Sequence, residues 1–328
     1  PGATAPTPVD GLPSHRSFRT ALRNTSTKVE APEQPGGGAP GMIQLRYRLA
    51  SAARTGGVPL DVVEKDYLIS YVLAGMSTDD VLSATLVLKG GTALRKLHFP
   101  DYRFSEDLDF STAGAPQGEQ LEARIRGVAV TAEGLLSVYG PFGIDVQRYQ
   151  EREPHPHGQE AFVVRARFPW QRDALCRIKI EVTSDEPVLL TPERRPLHHG
   201  YGEDLQCLVS CYALEEIVAE KLRTLLQTHR KLATRGWNRP RARDYYDLWR
   251  MFRDRGDELR TGIIVDLLHR KASHRRVSWR TVDDFFTVEL VGEALRTWDQ
   301  SLGPFVAELP ECEPVLTELK GWLAPLLH

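Results

Sequence analysis

Two stretches of this chain hold residues whose types and spacing can do chemistry: Lys89-Gly-Gly-Thr-Ala-Leu-Arg-Lys96 and Arg103-Phe-Ser-Glu-Asp-Leu-Asp-Phe-Ser111. Paired glycines let the backbone take positive φ and come close to a ligand. A helix opening directly after Gly90 and Gly91 would offer unpaired N–H groups and a positive dipole end, which together attract anions. Thr92 at that opening can cap the helix or hold a phosphate. Asp107 and Asp109 alternate with Leu108 and Phe110, so on a strand both carboxylates share one face. Such a pair repels unless it is protonated or bridged by a cation. Mg²⁺, a hard cation with oxygen ligands, suits it. A phosphate cradle beside two carboxylates points to metal-assisted chemistry on a nucleotide. Each part alone has an ordinary reading, a turn for Gly-Gly and a solvated strand face for Asp-x-Asp. Their succession between residues 90 and 109 is what sets them apart.

The elements that must place these residues follow from periodicity. Helices are expected over 42–54 and 59–76; in the second, Leu60, Val63, Tyr67, Tyr71 and Ala74 recur at three- and four-residue steps. Ser83–Leu88 suits a buried strand, Thr92–Leu97 a helix, and Phe104–Ser111 a second strand. Helical periodicity over 117–139 precedes three expected strands, Ile144–Tyr149, Glu160–Phe168 and Ala174–Thr183. From Tyr212 the expected elements are helices: Tyr212–Leu226, Arg243–Arg253, Ile263–His269, Val282–Phe286 and Gly292–Leu302. The fold class is therefore α/β (α+β), with a sheet domain over 42–200 and a mainly helical domain over 201–328, joined by a linker at Thr191–Gly202. Residues 1–41 hold seven of the 22 prolines and six of the 26 glycines and read as a flexible arm, with a short helix around Phe18–Leu22. The stretch from Pro32 to Gly41 is too rich in both for a helix.

Composition sets outer limits. The 328 residues carry 42 Lys+Arg against 44 Asp+Glu, a formal charge of −2, which argues against a polybasic nucleic-acid binder. No apolar run approaches the roughly 20 residues that span a bilayer. No apolar stretch flanked by basic residues opens the chain, so neither a secretory signal nor membrane attachment is expected. Four cysteines, at 176, 207, 211 and 312, make no disulfide framework and suit a reducing, cytoplasmic compartment. The near-neutral total hides opposed blocks. Residues 221–280 hold 17 basic and six acidic residues, a formal +11, whereas 281–328 hold two basic and nine acidic, a formal −7. In the basic block, arginines bracket Trp237 and Trp279, a pattern that can track phosphates and stack on unpaired bases. Zinc is not expected: there is no Cys-x₂-Cys pair, and His155, His157, His198 and His199 lie in Pro/Gly-rich loops.

Gly90-Gly91-Thr92 followed by Asp107-Leu-Asp109 resembles the signature of the polymerase-β-like nucleotidyltransferase superfamily. Glu64-Lys-Asp-Tyr67, Leu88-Lys-Gly-Gly-Thr-Ala-Leu94, Arg103-Phe-Ser-Glu-Asp-Leu-Asp-Phe110, Ala219-Glu-Lys-Leu222 and Arg243-Asp-Tyr-Tyr-Asp-Leu248 are similar to the motifs of the AbiEii toxin family, which includes the mycobacterial MenT toxins. The resemblance runs from about residue 59 to 250 and leaves the N-terminal arm and the last 75 residues uncovered. It implies a polymerase-β-like sheet domain and a toxin of a type IV-like toxin–antitoxin system. Such a toxin transfers nucleotides from a nucleoside triphosphate, with Mg²⁺ or Mn²⁺, to the 3′ acceptor end of tRNA, which blocks aminoacylation and translation. The implied partner is an AbiEi-like antitoxin.

The resemblance also assigns residues. Asp107 and Asp109 match the metal aspartates, with Glu181 on a later strand as the third metal carboxylate or the base. Gly90, Gly91 and Thr92 match the nucleotide's phosphate loop, and Ser105, on the same face as Asp107, would touch a phosphate. Phosphorylation of Ser105 would set about two negative charges beside the metal site and silence it. Lys221 matches the motif lysine and would place its charge on the β- and γ-phosphates. Asp244 matches the later aspartate and would orient Lys221 or contact the nucleotide, with Asp247 one helical turn on in support. Arg239, Arg241, Arg275 and Arg276 are the candidate tRNA contacts. Ordinary alternatives are ion pairs for Glu181 and Lys221, a helix-start partner for Asp244 and a solvated face for the arginines. The competing activity is the same transfer to a protein or to a small hydroxylated molecule such as an aminoglycoside. The competing class is an idle binding module, against which the repelling carboxylates argue.

Overall fold

A computed structural model gives the fold and describes residues 39–112, 114–149, 159–235 and 239–327. Helices α1 (Ala39–Thr55), α2 (Leu60–Thr78) and the short α3 (Asp80–Thr85) lead into strand β1 (Leu86–Lys89). A single turn, α4 (Gly90–Ala93), passes into wide π turns over Leu94–His98. Strand β2 (Asp107–Thr112), helix α5 (Gly118–Leu136) and strands β3 (Gly143–Tyr149), β4 (Gln159–Arg167) and β5 (Cys176–Thr183) follow. Two short strands, β6 (Glu193–Pro196) and β7 (Leu208–Cys211), precede helices α6 (Leu214–Arg235), α7 (Ala242–Arg255), α8 (Thr261–His274), α9 (Val288–Leu302) and α10 (Cys312–Leu323).

The strands form one mixed sheet in the order β3-β4-β5-β2-β1-β7-β6. β2 runs parallel to β5 and β1 parallel to β7; the other pairs are antiparallel. In β5, Cys176, Ile178, Ile180 and Val182 are buried, and Arg177, Lys179 and Glu181 take the other face. β2 repeats this with Leu108 and Phe110 against Asp107 and Asp109. This alternation fixes the register: burying Leu108, Phe110, Ile178 and Ile180 contributes about 1.5–3 kcal/mol for each side chain. Two carboxylates ~6.6 Å apart along a strand repel by only about 2.5 kcal/mol at an effective dielectric of ~20. Apolar burial wins, and the carboxylates are held together on the polar face.

The helices cover both ends of this arrangement. α2 is buried along nearly its whole length and packs against α1, α5 and the sheet, while α6, α7, α8, α9 and α10 pack among themselves. One continuous apolar core includes Leu108 and Ile180 of the sheet together with Leu222, Leu248 and Leu319 of the helices. No helix among the described residues is long and apolar enough to cross a membrane.

Several expected boundaries move, each for a local reason. Asp79 accepts hydrogen bonds from the backbone N–H groups of Val81 and Leu82 and so caps α3, which takes up the first part of the stretch read as strand from Ser83. Phe104 donates its N–H to the carbonyl of Phe305 at 3.1 Å, so the second strand begins only at Asp107. The expected linker at 191–202 contains β6, and β7 lies beyond residue 200 yet joins the sheet beside β1. Val282–Phe285 is a 3-10 turn. Ala39, Pro40 and Gly41 already belong to α1, because proline in a first helical turn has no hydrogen bond to lose. The short helix expected around Phe18–Leu22 lies outside the described residues.

Candidate active site

The polar face of the sheet carries a row of charge across three strands. Asp109 on β2 stands opposite Lys89 on β1 and Glu181 on β5, and Asp107 stands opposite Lys179. Burial, then Glu181 and Asp107 beside it, pushes the Asp109 carboxyl up to about 7. The Asp107 carboxyl is also raised, by burial first and then by Glu106 and Glu181. Glu181 shares a hydrogen bond with Asp109 and forms an ion pair with Lys179. Negative charge is thus concentrated where only part of it is offset.

The glycine loop begins where β1 ends. Gly90 has φ +71°, and a Cβ there would stand 3.1 Å from Asp109 Oδ2, so both the turn and the contact require glycine. Thr92 is buried and does not cap: its hydroxyl donates to the carbonyl of Asp107 and lies 2.8 Å from Ser105 Oγ. It ties the loop to the start of β2 and leaves Ser105 at the edge of the cleft.

The facing wall comes from α6 and α7. Lys221 Nζ lies 2.8 Å from Asp244 Oδ1 and 2.7 Å from Asp247 Oδ2. Burial works against its charge, but the two aspartates outweigh that and raise its pKa, so it stays an ammonium. Asp244 is lowered because Lys221 and Arg241 overcome its burial. Asp247, wholly buried, also receives Arg103 through two hydrogen bonds of 2.6 and 2.7 Å and Tyr102 through one of 3.0 Å. Between loop, carboxylates and wall lies a cleft of about 350 Å³, within the usual span for a small-molecule site.

A larger cavity of about 1210 Å³ lies elsewhere, between α1, the π turns, α7 and residues 305–310. Its cations are already paired, Arg48 with Glu203, Arg95 and Lys96 with Asp66, Arg250 and Arg253 with Asp254, and Arg103, which also lines the smaller cleft, with Asp247. The carboxylate row of Asp107, Asp109 and Glu181 lines the smaller cleft and not this one.

The donor set suits a hard cation of the kind that shares its ligands with substrate. Among the described residues no three His, Cys, Asp or Glu side chains converge as a finished metal cage. Mg²⁺ does not need one, since it is commonly held by one or two carboxylates plus substrate phosphates. Asp107 and Asp109 fit that role, and the raised Asp109 carboxyl marks the place that lacks a positive charge. Glu181 lies alongside, engaged by Lys179.

The structure brings Gly90, Gly91, Ser105, Asp107, Asp109, Glu181, Lys221 and Asp244 to one cleft, with Thr92 just behind. The four RNA candidates divide. Arg239 is exposed at the mouth, and Arg241 is half-buried against Thr228 and Asp244. Arg276 is exposed at the end of α8 with φ 55°. Arg275 is not a free surface cation: it is 7% exposed and bonded to Asp185 and Glu186. Trp279 packs on His269 and Phe285 rather than standing open for a base, and Trp237 lies outside the described residues. All four cysteines are free and buried, with thiols pushed up to about 12 chiefly by burial.

Two features were not legible beforehand. Arg103 sits within the wall, and a buried charge network lies beneath it. Lys271, fully buried on α8, lies 3.0 Å from Glu216 and 3.4 Å from Glu186, with Glu220 at 3.7 Å. Glu220 in turn holds Lys89 at 3.0 Å, next to the phosphate loop. The one available signal was Glu216 and Glu220 interrupting the apolar positions of α6.

Comparison with known proteins agrees with this geometry. A family model described as nucleotidyl transferase AbiEii toxin, type IV toxin–antitoxin system, matches residues 71–322. The MenT4 nucleotidyltransferase toxin of Mycobacterium tuberculosis H37Rv superposes with a TM-score of 0.56 at 23% identity, covering 87% of this chain and 90% of that one. No curated protein sequence matches. The chain has the mixed α/β fold of that toxin, and with more than two thirds of its length inside the family's match it belongs to the AbiEii nucleotidyltransferase toxins of type IV toxin–antitoxin systems.

Proposed function

We propose that this toxin is a Mg²⁺-dependent nucleotidyltransferase that moves nucleotides from a nucleoside triphosphate to the 3′ acceptor end of tRNA. The modified tRNA can no longer be aminoacylated, and translation stops. The observation that carries this reading is the single cleft in which Asp107 and Asp109 face the Gly90–Gly91 loop and the Lys221 wall.

The loop would receive the triphosphate on its backbone N–H groups, close to the carboxylate row because Gly90 has no side chain. Asp107 and Asp109, with Glu181 beside them, would hold Mg²⁺ or Mn²⁺, which neutralises phosphate charge and lowers the pKa of the attacking hydroxyl. The 3′-oxygen forms a bond to the α-phosphorus as the bond to pyrophosphate breaks. The hydroxyl proton would pass to Glu181, opposite Asp109 on the neighbouring strand. Lys221, kept protonated by Asp244 and Asp247, offsets the charge that gathers on the departing pyrophosphate.

RNA is favoured as acceptor over a protein or a small hydroxylated molecule such as an aminoglycoside. The exposed Arg239 lines the cleft and the exposed Arg276 extends positive charge beyond it, whereas a small acceptor needs no such reach. Nucleoside triphosphates and tRNA place the reaction in the cytoplasm, where an AbiEi-like antitoxin would be the counterpart.

The test is incubation with total tRNA, Mg²⁺ and each labelled nucleoside triphosphate in turn, with Asp109→Ala as control. Label should enter tRNA only with the parent protein. Label that persists in Asp109→Ala, or none in any reaction, overturns the reading.

A further inference from the structure

The two glycines of the phosphate loop are glycine for different reasons. Gly90 needs it for its positive φ, whereas Gly91 is not in that region. What Gly91 lacks is space: a Cβ there would stand 2.6 Å from Arg103 Nη2 and 3.3 Å from Ser105 Oγ. The loop backbone is packed against a guanidinium.

That guanidinium is held rigidly. Its Nε and Nη2 donate to the two oxygens of Asp247, and its Nη1 donates to the carbonyl of Phe104 at 3.0 Å. An arginine has five N–H donors. Three are used by these bonds, which leaves one on Nη1 and one on Nη2. Arg103 lines the cleft with only 5% of its surface exposed. Arg103, Lys221 and Arg241 share Asp244 and Asp247, so three cations are held together on the wall that faces the loop.

We infer that Arg103 binds the triphosphate of the nucleotide directly, with Asp247 as the positioning residue that aims it. Pinned to α7 by Asp247, the guanidinium fills the space beside Gly91 and keeps donors over. A guanidinium pressed against the phosphate loop, with N–H groups to spare, fits an anion seated on that loop. The rigid fork gives a phosphate planar, directional donors that a lysine lacks. This rests on the reading of the cleft as a nucleoside triphosphate site and adds a ligand that the family resemblance does not assign.

The experiment is calorimetric titration of the full chain with Mg²⁺–tripolyphosphate and with each nucleoside triphosphate, no acceptor present. Tripolyphosphate makes the readout independent of base and of RNA. Arg103→Lys should weaken binding of both probes by about tenfold or more, the value of a charge-assisted hydrogen bond or two. Gly91→Ala, which displaces the guanidinium without removing it, should weaken binding in the same direction. Asp247→Asn should do so with Arg103 intact. Circular dichroism and melting curves show which variants are folded, and Gly91→Ala serves if Arg103→Lys is not. Parent-like affinity in folded Arg103→Lys or in Gly91→Ala overturns the inference and leaves the nucleotide reading standing. Failure of the parent to bind any probe overturns both.

Discussion

Lys221 on α6 and Asp244 on α7 meet at 2.8 Å within the cleft wall, so the motif lysine and the motif aspartate work as one unit. Asp247 completes it from the next helical turn at 2.7 Å. Lys221→Met would keep length and volume but leave the buried Asp247 and the half-buried Asp244 without their shared cation. Transfer activity is expected to fall by about a hundredfold or more, as for loss of a charge stabilising the transition state. Stability should fall by about 3–5 kcal/mol, the cost of breaking a buried ion pair from one side. Asp244→Asn should cost activity with a smaller loss of stability, because Asp247 still holds Lys221. Transfer assays paired with urea unfolding check both, and equal stability losses would show that the two aspartates are not shared partners.

Lys271 makes a separate prediction about the support beneath the loop. It is fully buried and touches Glu216 and Glu186, while Glu220 links it onward to Lys89. Lys271→Met should destabilise by about 3 kcal/mol through Glu216, since Glu186 keeps Arg275 and Glu220 keeps Lys89. Adding Glu216→Gln to that variant removes the unpaired charge but leaves one of the Leu189 and Leu190 N–H groups facing an amide donor, so it should recover only part of the loss. Urea midpoints for the two variants decide it; no recovery would mean that packing rather than charge sets the cost.

Much of the polar face of the sheet was legible because period-two alternation leaves little choice. Leu108 and Phe110 must be buried, so Asp107 and Asp109 must face away, and the same holds for Ile178, Ile180 and Glu181. The glycines after β1 were equally readable. Long-range side-chain pairing was not. Nothing local distinguishes Arg275, locked between Asp185 and Glu186, from Arg276, which is open to solvent one residue later. The same limit hid Arg103, whose partner Asp247 is 144 residues away, and the joining of β7 to β1 across the expected linker. Local periodicity reports which face a residue takes, while the pairing of charges depends on elements that meet only in the folded chain.

That contrast separates two adjacent arginines experimentally. Arg276→Ala and Arg239→Ala remove exposed cations and should each weaken tRNA binding and lower the slope of log affinity against log salt by about one unit, with little change in melting for Arg276→Ala. Arg275→Ala should instead lower stability by about 1–3 kcal/mol, since buried Glu186 loses one partner and keeps Arg223 and Lys271. Binding titrations at several salt concentrations, run beside melting curves, test the division. A folded Arg275→Ala protein with a reduced salt slope would return that residue to the RNA surface.

The carboxylate row makes the metal-free toxin pay in stability for its chemistry, and the sign of the effect with pH follows from Asp109. Its carboxyl is pushed from 3.8 to about 7 by burial and by Glu181 and Asp107. Between those values the folded protein holds a proton that the unfolded chain has released. Stability from this group therefore falls as pH rises from about 4 to about 7, and the full penalty is present above that. Asp109→Asn removes the charge and should raise the melting temperature of the chelator-treated protein at pH 8, roughly 2 °C for each kcal/mol recovered in a chain of this size. The gain should shrink on acidification and vanish near pH 4, where Asp109 is neutral in both states. Mg²⁺ should reverse the order at pH 8 by stabilising the parent more than the variant, since binding to the native state alone adds stability. Melting curves of parent and variant from pH 4 to 8, with and without Mg²⁺, decide the matter. A gain that is constant across this range would show that Asp109 is not the group carrying the strain.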